Sequence, residues 1–209
     1  SGLLIWIASM FGQNGLVIGL VFAIAMNVGS YFFSDKLVLW MYKAQPATES
    51  EYPEFHKIVI ELARKANIPM PKLYIVNVPH SNAFATGRSP KHAAVAVTTG
   101  ILALLTKEEL RGVLAHELSH VKNRDILVAT VAATIASVIS YLAMMARFAA
   151  MFGGGRDRDN RGGGLAELVV LGILTPLIAT LIQLAISRSR EYMADESGAR
   201  LIGTGKPLA

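Results

Sequence analysis

Thr106-Lys107-Glu108-Glu109-Leu110-Arg111-Gly112-Val113-Leu114-Ala115-His116-Glu117-Leu118-Ser119-His120-Val121 is the stretch on which the fold turns. Thr106 followed by Glu109 is a Thr-x-x-Glu capping box, which starts a helix. Leu110, Val113, Leu114, Leu118 and Val121 then recur at helical spacing. His116 and His120 therefore stand one turn apart on one helix face, where both imidazoles reach a single metal ion. Glu117 lies beside them, placed to hold and deprotonate a metal-bound water. On a strand the two rings would be too far apart to share an ion.

A His-Glu-x-x-His pattern also arises by chance, so its surroundings decide its meaning. A candidate third ligand lies far along the chain, in Ser187-Arg188-Ser189-Arg190-Glu191-Tyr192-Met193-Ala194-Asp195. On a helix Glu191 and Asp195 share a face. Glu191 is suited to bind the metal, and Asp195 to accept the outer N–H of a ligating histidine and set its tautomer. The plainer alternative is a helix with two solvated acids. The chain has no cysteine, so any zinc ligands are His or carboxylate, and disulfides are excluded.

The composition is that of a membrane protein: 209 residues, 53% hydrophobic, with mean hydropathy +0.44. Leu16 to Phe33 is an apolar run interrupted by Asn27, and Ser34-Asp35-Lys36 ends it. Residues 3–11 read as the tail of a first span whose beginning is missing. Ile126 to Ala146 and Leu165 to Ile186 are further spans, joined by the polar loop 153–164. The first of these begins six residues past His120, so the metal-bearing helix is expected to run straight into the membrane. Two spans between His120 and Glu191 would return the chain to the same membrane face and complete the site. The predicted organisation is a membrane hairpin over 1–33, a catalytic domain over 34–125, a second hairpin over 126–187, and a helix carrying the third ligand over 188–209.

Ahead of the metal motif, Pro53 opens a helix running to about Ala66, and Pro69 and Pro71 break it. Lys72–Val78, Asn82–Gly87 and His92–Thr99 read as three strands of a small antiparallel sheet. The expected fold class is α+β, mainly helical, an integral membrane protein with transmembrane helices beside that small sheet. The Asn82–Gly87 strand offers an edge on which an extended peptide can pair, with Ala83 and Phe84 at its centre. His80, Asn82, Arg188, Arg190 and Tyr192 are also candidates for stabilising an oxyanion, and the sequence does not choose among them.

The net charge of +5 goes with lipid rather than nucleic acid, because no basic cluster alternates with aromatics. Lys36, Lys43, Lys122, Arg124, Arg188 and Arg190 lie near membrane ends on the site's side, and residues 2–15 carry no basic residue. This places the site in the cytoplasm; Arg156, Arg158 and Arg161 on the opposite loop weigh the other way. An intramembrane metalloprotease is disfavoured by Lys122-Asn123-Arg124-Asp125, which put the motif at the membrane surface.

Taken together, the first hairpin, Asn82-Ala83-Phe84-Ala85-Thr86-Gly87, His116-Glu117-Leu118-Ser119-His120, the second hairpin and Arg190-Glu191-Tyr192-Met193-Ala194-Asp195 resemble the HtpX family of membrane-bound zinc metalloproteases, kin of the CAAX prenyl endopeptidases. The resemblance implies a zincin-like (gluzincin) catalytic domain, one zinc per chain bound by His116, His120 and Glu191, and Glu117 as general base. It also implies a multi-pass protein of the bacterial inner membrane that cleaves damaged or misfolded membrane proteins in stress response and quality control. Against the family pattern the chain looks truncated at both ends. A non-catalytic membrane zinc-binding or scaffold protein is the alternative; it would need the ligands but not Glu117.

Overall fold

A computed structural model of the chain describes residues 12–152 and 174–203. The expectations for residues 3–11, for the loop 153–164, for the first part of the last span and for the chain from 204 onward lie outside the described residues. In chain order the described residues form α1 (Gly12–Met41), β1 (Gln45–Pro46), α2 (Pro53–Ala66), β2 (Lys72–Val76), β3 (Ala83–Thr86), β4 (Ala94–Thr98), α3 (Thr99–Leu104), α4 (Lys107–Lys122), α5 (Asp125–Phe152) and α6 (Thr175–Ile202). They divide into two compact units, residues 12–29, 129–152 and 174–187 in the first and 30–128 with 188–203 in the second.

The first unit is built from apolar helix. Leu16 and Ala23 of α1 are buried, with Leu20, Tyr141, Met144 and Met145 packed against them. Asn27 Nδ2 donates to Ser137 Oγ at 3.4 Å, giving the polar interruption of the run a partner in the neighbouring helix. Outward-facing Ile18, Val21, Phe22, Val131, Ile135 and Leu142 are exposed. Asn14–Phe33 and Asp125–Met145 are long and apolar enough to cross a membrane, and only 17% and 11% of their apolar windows is buried. A soluble protein would hide such helices in its core; these leave them for lipid.

The polar triplet Ser34-Asp35-Lys36 ends the apolar run but not the helix, which continues to Met41. Nothing in the triplet breaks helical hydrogen bonding. The helix stops where Lys43 turns left-handed at φ 49°, after Tyr42 N–H reaches Val38 O at 3.0 Å.

The second unit packs helices on a sheet. α2 buries Phe55, Ile58, Val59, Leu62, Ala63 and Ala66, one stripe at helical spacing, and starts on Pro53. That stripe meets Leu73, Ile75, Val95, Val97 and the buried face of α4, namely Leu110, Leu114 and Leu118. Leu201 near the end of α6 joins the same core, and Lys65 Nζ donates to its carbonyl at 3.4 Å.

The sheet is mixed, with strand order β1-β2-β4-β3, which corrects the antiparallel expectation. β2 and β4 run parallel from Lys72↔Ala94 to Val76↔Thr98, while β3 pairs antiparallel with β4 and β1 with β2. The reason lies in β4, where every residue from Ala94 to Thr98 is buried. A strand with no polar face belongs in the middle of a sheet, so β4 inserts beside β2 and leaves β3 at the edge. The short strand β1 and helix α3 were not foreseen. Thr98 makes the second of these, its Oγ1 accepting from Ile101 N–H at 3.2 Å as the N-cap.

The capping box of α4 forms in both directions. Thr106 Oγ1 accepts from Glu109 N–H at 3.3 Å, and Thr106 N–H donates to Glu109 Oε2 at 2.8 Å. α4 does not run straight into the following span. Arg124 takes φ 56°, and α5 begins anew at Asp125.

A charged clasp adds to the apolar contact between α2 and α4. Arg111 donates from Nη1 to Glu61 Oε2 at 2.7 Å and from Nη2 to Oε1, with Lys65 Nζ 3.2 Å from Oε1. Arg111, with Lys65 behind it, holds the Glu61 carboxyl down at about 2 from an ordinary 4.5. The folded value lies below the unfolded one, so the clasp's contribution is complete above about pH 4.5 and is lost as pH falls towards 2. Thermal unfolding at low salt should therefore show a midpoint that drops on acidification from about pH 5 to 3, and drops less in Arg111→Gln. Equal drops in the two proteins would show that the clasp does not hold the helices.

Candidate metal centre

His116, Glu117 and His120 stand on the half-buried side of α4, turned away from the fully buried Leu114 and Leu118. Four-residue spacing stacks the two rings with centroids 4.7 Å apart and planes at 87°. α6 supplies the remaining acids, one turn apart: Glu191 faces both histidines and Asp195 faces His116. The docking of Leu201 in the core sets the height of this helix end.

Each imidazole is held from behind by a carboxylate. His116 Nδ1 lies 2.8 Å from Asp195 Oδ1, and His120 Nδ1 lies 2.6 Å from Asp125 Oδ2. A carboxylate only accepts, so each Nδ1 carries the proton and each Nε2 presents a lone pair. The two Nε2 atoms are 3.1 Å apart, an arrangement of facing acceptors that repels unless a cation lies between them. Glu191 Oε2 completes a triangle, 3.6 Å from His116 Nε2 and 3.7 Å from His120 Nε2. A point equidistant from these three atoms is about 2.0 Å from each, the length of a zinc–nitrogen or zinc–oxygen bond. Two imidazoles and one carboxylate with the fourth direction open is a donor set that fits a catalytic divalent metal.

Glu117 points to the sheet edge. Its Oε2 accepts from Ala85 N–H of β3 at 3.0 Å. Burial pushes the Glu117 carboxyl up, a shift offset in part by the Ala85 N–H and by the two histidines. Thr98 N–H reaches Asn82 O at 3.0 Å, which sets the phase of the β3–β4 ladder. In that phase the N–H and C=O of Ala83 and Ala85 face the free edge. Gly87 then turns the chain out of β3 at φ 121°, where a Cβ would lie 2.1 Å from His92 O.

The structure thus gathers His116, Glu117, His120, Glu191 and Asp195 at one place, with Ala83 and Ala85 on the adjoining edge. Asn82 is bonded through its backbone to Thr98, and the Phe84 ring packs on Tyr42 at 5.0 Å. The Arg190 guanidinium is committed to Asp125 Oδ1 and, at 2.6 Å, to Asn123 O. Sequence reasoning missed Asp125. Its one sequence signal is an acid at the mouth of a span, where a membrane helix has no need of one.

Comparison with known proteins came to the same kind of molecule. The sequence model of peptidase family M48 matches residues 49–208. A protease HtpX homolog from Syntrophobacter fumaroxidans is 54% identical over all of this chain and 75% of its own length. One from Aquifex aeolicus is 56% identical, again over all of this chain and 71% of its own length. In fold the chain is similar to the crystal structure of S. mikatae Ste24p, with a TM-score of 0.63 at 19% identity over 95% of this chain. The chain spans about half the length of that protein, 51% of it.

Proposed function

The chain belongs to peptidase family M48, and from that premise we propose that this membrane metalloprotease is a zinc endopeptidase whose centre is His116, His120 and Glu191 with Glu117 as its base. The carrying observation is the pair of Nε2 lone pairs 3.1 Å apart, closed into a triangle by Glu191 and flanked by Glu117. When bound there, one zinc ion supplies Lewis acidity, acidifying a water and polarising a carbonyl.

The chain's own residues do the rest. A substrate peptide lies extended along the free edge of β3, pairing with the outward backbone groups of Ala83 and the carbonyl of Ala85, whose N–H is kept by Glu117, a mode that reads backbone more than side chains. Glu117, placed by Ala85 N–H and raised by burial, takes the proton of the attacking water and returns it to the leaving amine. Asp195 and Asp125 hold the histidines as acceptor-forward ligands throughout.

The proposal extends to place and substrate. Lys36, Lys43, Lys122, Arg124 and Arg188 near the apolar runs favour a bacterial inner-membrane protein with its site in the cytoplasm. The organisation is two membrane hairpins, over 1–33 and 126–187, around a catalytic domain at 34–125 with the closing helix from 188. Two helices apolar enough to cross a membrane, and the likeness to HtpX proteases, favour damaged or misfolded membrane proteins as substrates.

The test is cleavage of an unfolded soluble protein by the detergent-purified chain. Cleavage is expected to stop when a chelator strips the metal and to return with about one equivalent of zinc. Undiminished cleavage by the stripped protein would overturn the reading; one zinc bound with no cleavage at all would favour a non-catalytic binder.

A further inference from the structure

The two carboxylates behind the histidines are not equivalent. Asp195 sits one turn from Glu191 on the same helix, its side chain 41% exposed, and holds His116. Asp125 is 13% exposed and serves two masters from one carboxylate: Oδ2 takes His120 Nδ1, and Oδ1 takes the Arg190 guanidinium. Arg190, itself 17% exposed, compensates the charge of that half-buried acid and adds a bond to Asn123 O at 2.6 Å. The residue after Arg190 is the ligand Glu191.

We propose that Asp125 is a positioning residue of the metal centre and that Arg190 acts through it, the pair locking His120 and registering Glu191 against it. Three helices meet at this one contact, since α4 brings His120, α5 begins with Asp125, and α6 brings Arg190. The break at Arg124 is what makes it. Five residues along an unbroken helix would turn Asp125 about 140° away from His120. With Arg124 left-handed, the chain folds Asp125 back onto the ring instead. A planar guanidinium fastened at Asp125 and at the Asn123 carbonyl fixes both the rotation and the height of α6 at residue 190. The Glu191 carboxylate then falls at nearly equal distances from the two Nε2 atoms, 3.6 and 3.7 Å.

This inference rests on the metal reading of His116, His120 and Glu191, and metal binding itself tests both. Zinc affinity would be measured by chelator competition on the full chain in detergent, together with the visible absorption of the cobalt-substituted protein. The proteins compared are the native chain, Asp125→Asn, Arg190→Gln and the double variant. Asp125→Asn is expected to weaken zinc binding about 10–100-fold and to change the cobalt spectrum. Arg190→Gln, which touches no ligand, is expected to weaken binding in the same direction. The double variant should be weaker than Asp125→Asn alone by no more than about threefold, because Arg190 acts chiefly through Asp125 and only its bond to the Asn123 carbonyl remains in that variant. Losses that multiply in the double variant would overturn the coupling. Native affinity and spectrum in either single variant, even with a lowered melting temperature, would reduce the pair to a structural brace. If Asp125→Asn does not fold, the affinity and spectrum of Arg190→Gln decide alone. A native chain that binds neither zinc nor cobalt would overturn the metal reading itself.

Discussion

Glu117→Gln is expected to lower peptide-bond cleavage by about 10²–10⁴-fold while the metal stays bound. The substitution keeps the shape of the side chain and an oxygen able to accept from Ala85 N–H. Packing on α4 and the edge of β3 therefore stays as it is. What glutamine cannot do is take a proton, and Glu117 is the carboxylate that adjoins the centre without contributing to the triangle of His116, His120 and Glu191. Cleavage of an unfolded substrate and metal content per chain would be measured on the same preparation. Retained cleavage would remove Glu117 from the chemistry. Lost metal would make it a ligand rather than a base.

Glu191→Ala is expected to fail in the opposite way, by losing the metal. Two histidines on one helix turn hold an ion from one side only, and Glu191 Oε2 is what closes the third side. Removing it should weaken zinc binding by more than the roughly 100-fold upper figure for an outer partner, and cleavage should fall with it. Folding should survive. The Glu191 side chain is 59% exposed, while α6 keeps its anchors in Leu201 and Arg190. The check is zinc affinity alongside the melting temperature of the metal-free proteins. Native affinity in the variant would mean that another group closes the site. Glu117→Gln and Glu191→Ala thus separate the chemistry of the base from the holding of the ion.

The parts of this protein that were legible in the sequence depend on near neighbours. A capping box spans Thr106 to Glu109, a histidine pair spans His116 to His120, and Glu191 and Asp195 repeat that spacing on α6. Helical geometry converts each of these spacings into a position, so residues alone suffice. The apolar runs at Asn14–Phe33 and Asp125–Met145 were legible because lipid demands composition and length rather than particular partners. The meeting of Glu191 with His116 was an expectation drawn from two apolar runs read between them, the second of which lies partly outside the described residues, and the two side chains stand 3.6 Å apart.

Three features needed the tertiary structure. The sheet order followed from which strand is buried on both sides, a property of β4 that depends on the helices covering it; chain order suggested only a meander. The approach of Ala85 to Glu117 joins residues 32 apart through that same order, since only an edge strand has a free N–H to offer. Asp125 was hidden because helical periodicity points it away from His120, and a single left-handed residue, Arg124, reverses that. Residue order alone sufficed for the His116–His120 spacing, the Glu117 carboxylate beside it and the two apolar helices, because short-range geometry and hydrophobicity act locally. What grips those histidines from behind had to await the folded chain, because contacts such as Asp125 with His120 and Arg190 are chosen by packing between separate helices.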